Sequence, residues 1–194
     1  MPPQRIWLAR HGETKWSLSG QHTGRTDIAL TKHGEEQAAL LGEALRGRSF
    51  ALVLSSPLQR AWETCQLAGF GEQVQPDPNL REWDYGEYEG VTTASIHEKN
   101  PWWELWNDGV PGGETITQVS ARALDVIDRA MHADGDVLLF SHGHMLRILA
   151  ALWLGLPPQQ GRLFALSTAT ISTLGFEHGR HVIVRWNVTP EDCL

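Results

Sequence analysis

Three short stretches of the sequence gather residue types that cannot build a core. Arg10-His11-Gly12-Glu13 follows the apolar run IWLA. Ser55-Ser56-Pro57 follows ALVL, with Arg60 three residues on. Ser141-His142-Gly143-His144 follows VLLF. A fourth stretch, LREWDYGEYEG, offers Glu82, Asp84, Glu87 and Glu89. Guanidinium groups capture phosphate or carboxylate in a bidentate fork. An imidazole serves as nucleophile, acid or base near neutral pH. Phosphoryl transfer needs its equatorial oxygens neutralised while a nucleophile attacks in line. Arg10, Arg60 and one of the pair His11 and His142 can form that clamp, and the other histidine can attack. A carboxyl group beside phosphate, partly removed from water, can protonate a departing alkoxide, an effect of about 10²–10⁴-fold in rate. Glu82, Asp84, Glu87 and Glu89 are all candidates for this part. The sequence shows no Walker-type glycine loop and no acidic metal cage. His142, His144 and His11 could hold a metal such as zinc, but no cysteine completes the set and the arginines would repel a cation. No metal is therefore expected.

These residues need strands and helices to bring them together. Residues 5–9 read as a first strand. Residues 31–46 read as a helix with Thr31 as its cap and Ala38, Leu41 and Leu45 at helical spacing. Residues 51–54 suit a buried parallel strand. A second helix follows over 58–68, with Pro57 in its first turn. Residues 70–113 are irregular, with room for short helices. Residues 116–131 carry one apolar stripe and form an amphipathic helix. Residues 137–140 are another buried strand, 144–154 an apolar helix, and 169–176 and 181–186 closing strands. Alternating strands and helices imply a parallel-centred sheet with helices on both faces, whose ligands bind outside the carboxyl ends of the strands. Adjacent parallel strands would join the three polar stretches into one pocket.

The bulk properties agree. A chain of 194 residues, 41% hydrophobic, can bury one sizeable core. Its net charge of −7 argues against general nucleic-acid binding, which needs a basic surface, and leaves room for arginines in one cleft facing a small anion. Cys65 and Cys193 follow no metal or redox spacing. Cys65 reads as a helix packing residue and Cys193 as a tail thiol. The opening residues lack a signal-peptide pattern, and the longest apolar stretch, 148–156, is too short for a bilayer. A cytoplasmic protein without membrane contact is expected. Trp102, Trp103 and Trp106 follow Pro101 at a spacing that places one of the first two beside Trp106 on a helix, as core packing in preference to a lid over a sugar phosphate. Exposed tryptophans could contribute to a homodimer.

Taken in order, Arg10-His11-Gly12-Glu13-Thr14, the Ser-Pro pair with Arg60, the segment from Leu80 to Gly90 and Ser141-His142-Gly143 resemble the histidine phosphatase superfamily, the phosphoglycerate-mutase-like family. The resemblance spans nearly the whole chain. It implies an α/β fold: a single three-layer α/β/α domain over 1–194 with a mostly parallel, mixed sheet. It implies that His11 is the histidine that becomes phosphorylated, that Arg10, Arg60 and His142 complete the phosphate pocket, and that Glu82 is the proton donor. Ser17, Gln21, Thr23 and Gly24 lie where the family contacts phosphate and substrate, Ser17 standing where many members have asparagine. Tyr85, Gly143 and His144 are expected as further substrate neighbours, with packing as the alternative for Tyr85 and a helix start as that for His144. SGQHTGRTD, LREWDYGEYEG, WELWNDGVPGGET and SHGHMLRILAALWLGL are similar to the branch of sedoheptulose-1,7-bisphosphatases and small bacterial acid phosphatases. Cofactor-dependent mutases of the family usually carry an inserted basic segment, whereas residues 89–113 hold Lys99 as their one cation. The expected activity is metal-independent and cofactor-free hydrolysis of a small phosphorylated metabolite, a sugar phosphate or bisphosphate. A phosphoglycerate mutase and a catalytically idle phospho-ligand binding module are the alternatives.

Overall fold

The computed structural model describes residues 4–193, the Cys193 side chain lying outside the described residues. Its sheet contains β1 (Ile6–Arg10), β2 (Leu52–Ser55), β3 (Val74–Pro76), β4 (Val137–Ser141), β5 (Ile171–Glu177) and β6 (Arg180–Val188), in the order β3-β2-β4-β1-β5-β6. The pairs β2/β3, β2/β4 and β1/β4 are parallel, while β5 runs antiparallel to both β1 and β6. The sheet is thus mixed around a parallel centre. His178 and Gly179, at φ of 49° and 74°, make the tight turn between β5 and β6.

The helices are α1 (Lys15–Ser19), α2 (Lys32–Ala44), α3 (Gln59–Cys65), α4 (Thr93–Lys99), α5 (Leu105–Asp108), α6 (Ile116–Met131) and α7 (Gly143–Trp153). They cover both faces of the sheet. Trp7, Val53, Leu138 and Phe140 point one way and pack with Leu41 of α2 and Cys65 of α3. Ile6, Leu8, Leu54, Val137 and Leu139 point the other way and pack with Val119 and Val126 of α6 and Leu146 and Leu149 of α7. The alternation is the side-chain period of a strand, and burial on both faces explains the unbroken apolar runs. Each buried Leu, Ile or Phe contributes about 1.5–3 kcal/mol. Thr31 caps α2 by accepting from Gly34 N, and Thr115 forms a capping box with Gln118 at the start of α6.

Several boundaries differ from the sequence reading. Arg10 belongs to β1, in register with Ser141. Helix α3 is shorter than 58–68, because Gly69 takes φ 88° and the chain closes in a π-turn over Gln66–Phe70. Pro57 precedes the Leu58 cap and lies outside the first turn. The irregular region holds β3, a three-residue edge strand, and the short helices α4 and α5. Trp102 and Trp103 precede α5, so no helix aligns them with Trp106. Cys65 is buried in the core, and burial pushes its thiol up to about 12. Among the described residues, no helix is long and apolar enough to cross a membrane.

Candidate active site

The register of the sheet assembles the site. Arg10 ends β1 opposite Ser141, and Ser55 ends β2 opposite Phe140. The next residues, His11, Ser56 and His142, therefore emerge at one edge. His142 Nε2 lies 2.8 Å from Ser56 Oγ, and the rings of His11 and His142 are 5.2 Å apart. Arg60 enters from the first turn of α3. Its Nη1 donates to Thr26 O at 3.1 Å, and its Nη2 donates to Thr23 O and Gly24 O, each at 3.0 Å. Arg10 donates from Nη1 to Leu166 O. Gly143 packs against this guanidinium, its Cα side facing the Arg10 Cζ.

His11 Nδ1 lies 2.7 Å from the carbonyl of Gly12. A carbonyl only accepts, so Nδ1 carries the hydrogen and Nε2 carries the lone pair. Burial holds the His11 imidazole well below the usual histidine range, reinforced by the Arg60 and Arg10 cations. The ring is thus held neutral. His142 is likewise held well below that range, first by burial and then by Arg60, His11 and Arg10. Among the described residues, four buried side-chain polar atoms lack a hydrogen-bond partner: Arg10 Nε, Arg60 Nε, His142 Nδ1 and Thr173 Oγ1. Three of the four belong to this cluster. Buried polar groups are nearly always paired, so this concentration leaves the cluster with capacity to receive a ligand's polar atoms.

Glu82 faces the cluster from the irregular segment. Its Oε1 accepts from Trp83 N at 3.0 Å and Met145 N at 2.9 Å, and its Oε2 accepts from His144 N at 3.0 Å. The carboxyl group thus sits at the N-terminus of α7, where its oxygens satisfy otherwise free backbone N–H groups. Ser141 Oγ donates to Leu80 O at 2.6 Å and ties the segment to the end of β4. Tyr85 OH lies 2.6 Å from His144 Nδ1. Burial raises the Tyr85 phenol well above its usual value and, with Arg147, lowers His144 well below its own. Tyrosine is therefore the donor and neutral His144 the acceptor.

A cavity of about 250 Å³ opens over these groups. Arg10, His11, Ser17, Gln21, Thr23, Glu82, Tyr85, Gly143 and His144 line it, as the sequence reading expects. Arg60 and His142 lie behind the wall, each fully buried. Gly24 does not reach the cavity. Its N–H donates to the Glu89 carboxylate, its carbonyl accepts from Arg60, and it borders a separate cavity of about 80 Å³. Ser17 lines the cavity, but its hydroxyl is engaged in the capping box of α1, and the Gln21 amide is held by Gly90 O and Ser19 Oγ. Of the four acidic candidates, Glu82 alone lines the large cavity. Asp84 pairs with Arg25, and Glu89 accepts from Gly24 N and Thr26 N. Among the described residues, no group of three or more His, Cys, Asp or Glu is arranged to hold a metal.

The structure adds Trp16, His22, Thr93, Arg147 and Leu166 to the wall. Arg147 was legible, lying three residues after His144 on the same helix face. His22 was not, because a loop contact of its Nδ1 with Val91 O at 2.6 Å brings it there. Trp103 and Trp106 are buried, and Trp102 is 91% exposed. Trp106 packs against His144 and Trp83, with the Arg147 guanidinium 4.7 Å above its ring, so it backs the wall as core.

Comparisons with known proteins agree with this geometry. The profile of the Histidine phosphatase superfamily (branch 1) matches residues 6–189. Over 179 residues the chain is 43% identical to an acid phosphatase of Mycobacterium tuberculosis (strain ATCC 25618 / H37Rv), covering 90% of this chain and 88% of that protein. Over 188 residues it is 38% identical to sedoheptulose 1,7-bisphosphatase of Saccharomyces cerevisiae (strain ATCC 204508 / S288c), covering 80% of this chain and 69% of that protein. A solved structure of an open reading frame from Mycobacterium tuberculosis superposes with a TM-score of 0.92 at 42% identity, over 96% of this chain and 98% of that one. The chain belongs to the histidine phosphatase superfamily, branch 1.

Proposed function

We propose that the chain acts as one phosphatase domain that hydrolyses phosphomonoesters of small metabolites, sugar phosphates or bisphosphates, through phosphorylation of His11. The observation that carries this reading is the set of buried, unpartnered Arg10 Nε, Arg60 Nε and His142 Nδ1 beside a neutral imidazole. The three donors receive the phosphoryl oxygens. The His11 Nε2 lone pair attacks phosphorus, and the bond from phosphorus to the ester oxygen breaks. Protonated Glu82 gives its proton to the departing alkoxide. Water then attacks the phosphohistidine, Glu82 takes the proton, and inorganic phosphate leaves. Side-chain cations supply all the positive charge, so the reaction needs no metal and no cofactor.

The test is phosphate release from a panel of sugar phosphates, sugar bisphosphates, 3-phosphoglycerate and an aryl phosphate, with chelator present. Expected are release unaffected by chelator and an acid-labile loss of label from phosphoenzyme trapped with ³²P-substrate. His11→Ala is expected to abolish both. Wild-type turnover by His11→Ala refutes the reading, and so does isomerised phosphoglycerate formed without free phosphate.

A further inference from the structure

Glu82 sits on a segment with little regular structure of its own. A single 3₁₀ turn, Pro78–Leu80, precedes it. Something else must hold the backbone that aims its carboxyl group. Arg122 of α6 donates from Nη1 to Asn79 O at 2.7 Å and to Arg81 O at 2.9 Å, and from Nη2 to Glu82 O at 3.4 Å. Its Nε and Nη2 also fork onto Glu114 Oε1 and Oε2 at 2.9 and 2.8 Å. Glu114 continues the grip: its Oε2 accepts from Asp84 N at 3.0 Å, and its carbonyl accepts from Trp83 Nε1 at 2.8 Å. Together the two residues bond to Asn79, Arg81, Glu82, Trp83 and Asp84, while Ser141 holds Leu80.

The Arg122 and Glu114 side chains are 18% and 19% exposed. Neither lines the catalytic cavity; both line the small cavity behind Glu82. A bidentate Arg–carboxylate pair with this many further bonds is rigid in a way that an isolated surface pair is not. We infer that the Arg122–Glu114 pair positions Glu82 for proton transfer, acting through the backbone of residues 79–84 and never touching substrate. This rests on the proposed role of Glu82 as proton donor. Misplacement of a catalytic group by about 1 Å costs about 10²-fold in rate, and the loss falls on the step that uses the group.

The leaving group separates positioning from general stability. An alkyl phosphate expels a basic alkoxide that needs the proton; 4-nitrophenyl phosphate expels an anion that leaves without one. The experiment measures kcat/KM for fructose 1,6-bisphosphate and for 4-nitrophenyl phosphate in the same preparation. Their ratio does not change with the fraction of protein that is folded. Arg122→Leu and Glu114→Gln are expected to lower kcat/KM for the sugar ester by about 10–100-fold and that for the aryl ester by less than about threefold. Arg122→Lys keeps the charge, loses the fork and falls between. Glu82→Gln serves as the reference and shows the largest selective loss. A selective loss in Glu82→Gln with equal losses on both esters in the Arg122 and Glu114 variants overturns the positioning role alone. Equal losses in Glu82→Gln itself overturn the donor role of Glu82, and the inference with it.

Discussion

Three imidazoles held neutral inside the protein make its stability fall with acidity. His11, His142 and His144 are each lowered well below the ordinary histidine range, chiefly by burial. In the unfolded chain each titrates near 6.5. Below that pH the unfolded chain binds protons that the folded chain refuses, so stability is full above about 6.5 and declines as the pH drops towards the folded values. From pH 6.5 to 5.5 each histidine contributes a loss of about 1 kcal/mol, and the three together about 3 kcal/mol. Most unfolded-state carboxylates stay ionised across this window and add little. With a urea slope of about 2 kcal/mol per molar, the unfolding midpoint falls by about 1.5 M. Urea titrations at the two pH values, followed by tryptophan fluorescence, measure it. His142→Gln removes one titrating group and is expected to take away about a third of the pH effect. A midpoint that moves by less than about 0.3 M between the two pH values refutes the claim that these histidines are held neutral in the folded protein.

Other substitutions test the packing around the same groups. Gly12→Ala drives a Cβ into the backbone of Gly34, chiefly its carbonyl oxygen. The expected cost is about 1–3 kcal/mol, seen as a lower melting temperature. A loss of more than about tenfold in phosphate release accompanies it, because the Gly12 carbonyl orients His11. Tyr85→Phe leaves the partly buried His144 Nδ1 acceptor without its donor. It is expected to cost about 1–3 kcal/mol, or roughly 2–12 °C in melting temperature for a chain of this size. Trp102→Ser is expected to change stability by less than about 0.5 kcal/mol and kcat/KM by less than twofold, since an exposed ring away from the cavity supports neither. A large loss of kcat/KM in that variant would restore a lid role to the segment.

The sequence made the strand ends easy to read. Strands buried on both faces must be wholly apolar, so the abrupt change to Arg10-His11 or Ser141-His142 marks both the end of a strand and the start of a site. The parallel register then brings the ends together without further information. What stayed hidden depends on contacts between distant segments. Strand β3 has no period to detect in three residues, of which two are exposed. Gly24 stands among cavity residues in the sequence, yet Glu89 and Trp83, some sixty residues on, take up its space. His22 reaches the wall because its backbone and ring both bond to Val91. Choosing Glu82 among four acidic candidates by position alone was also beyond residue types, since Asp84 and Glu89 are consumed by Arg25 and by backbone amides of the first loop.

The way Arg60 is held bears on how such a pocket can diversify. Its two terminal nitrogens bond three carbonyls of the 23–26 loop. Pulling that loop away strands the two buried Arg60 nitrogens at about 1–3 kcal/mol each, so conformers with this wall displaced are populated at only about one part in 10 to 10⁴. The wall is scaffold, and ligands of different girth gain no room there. On the opposite rim, residues 86–113 are held by aromatic packing and backbone bonds, which tolerate changes of length and side chain. Substrate range in proteins built on this plan should therefore drift through edits to that rim, with the side carrying Arg60 kept constant by its own architecture.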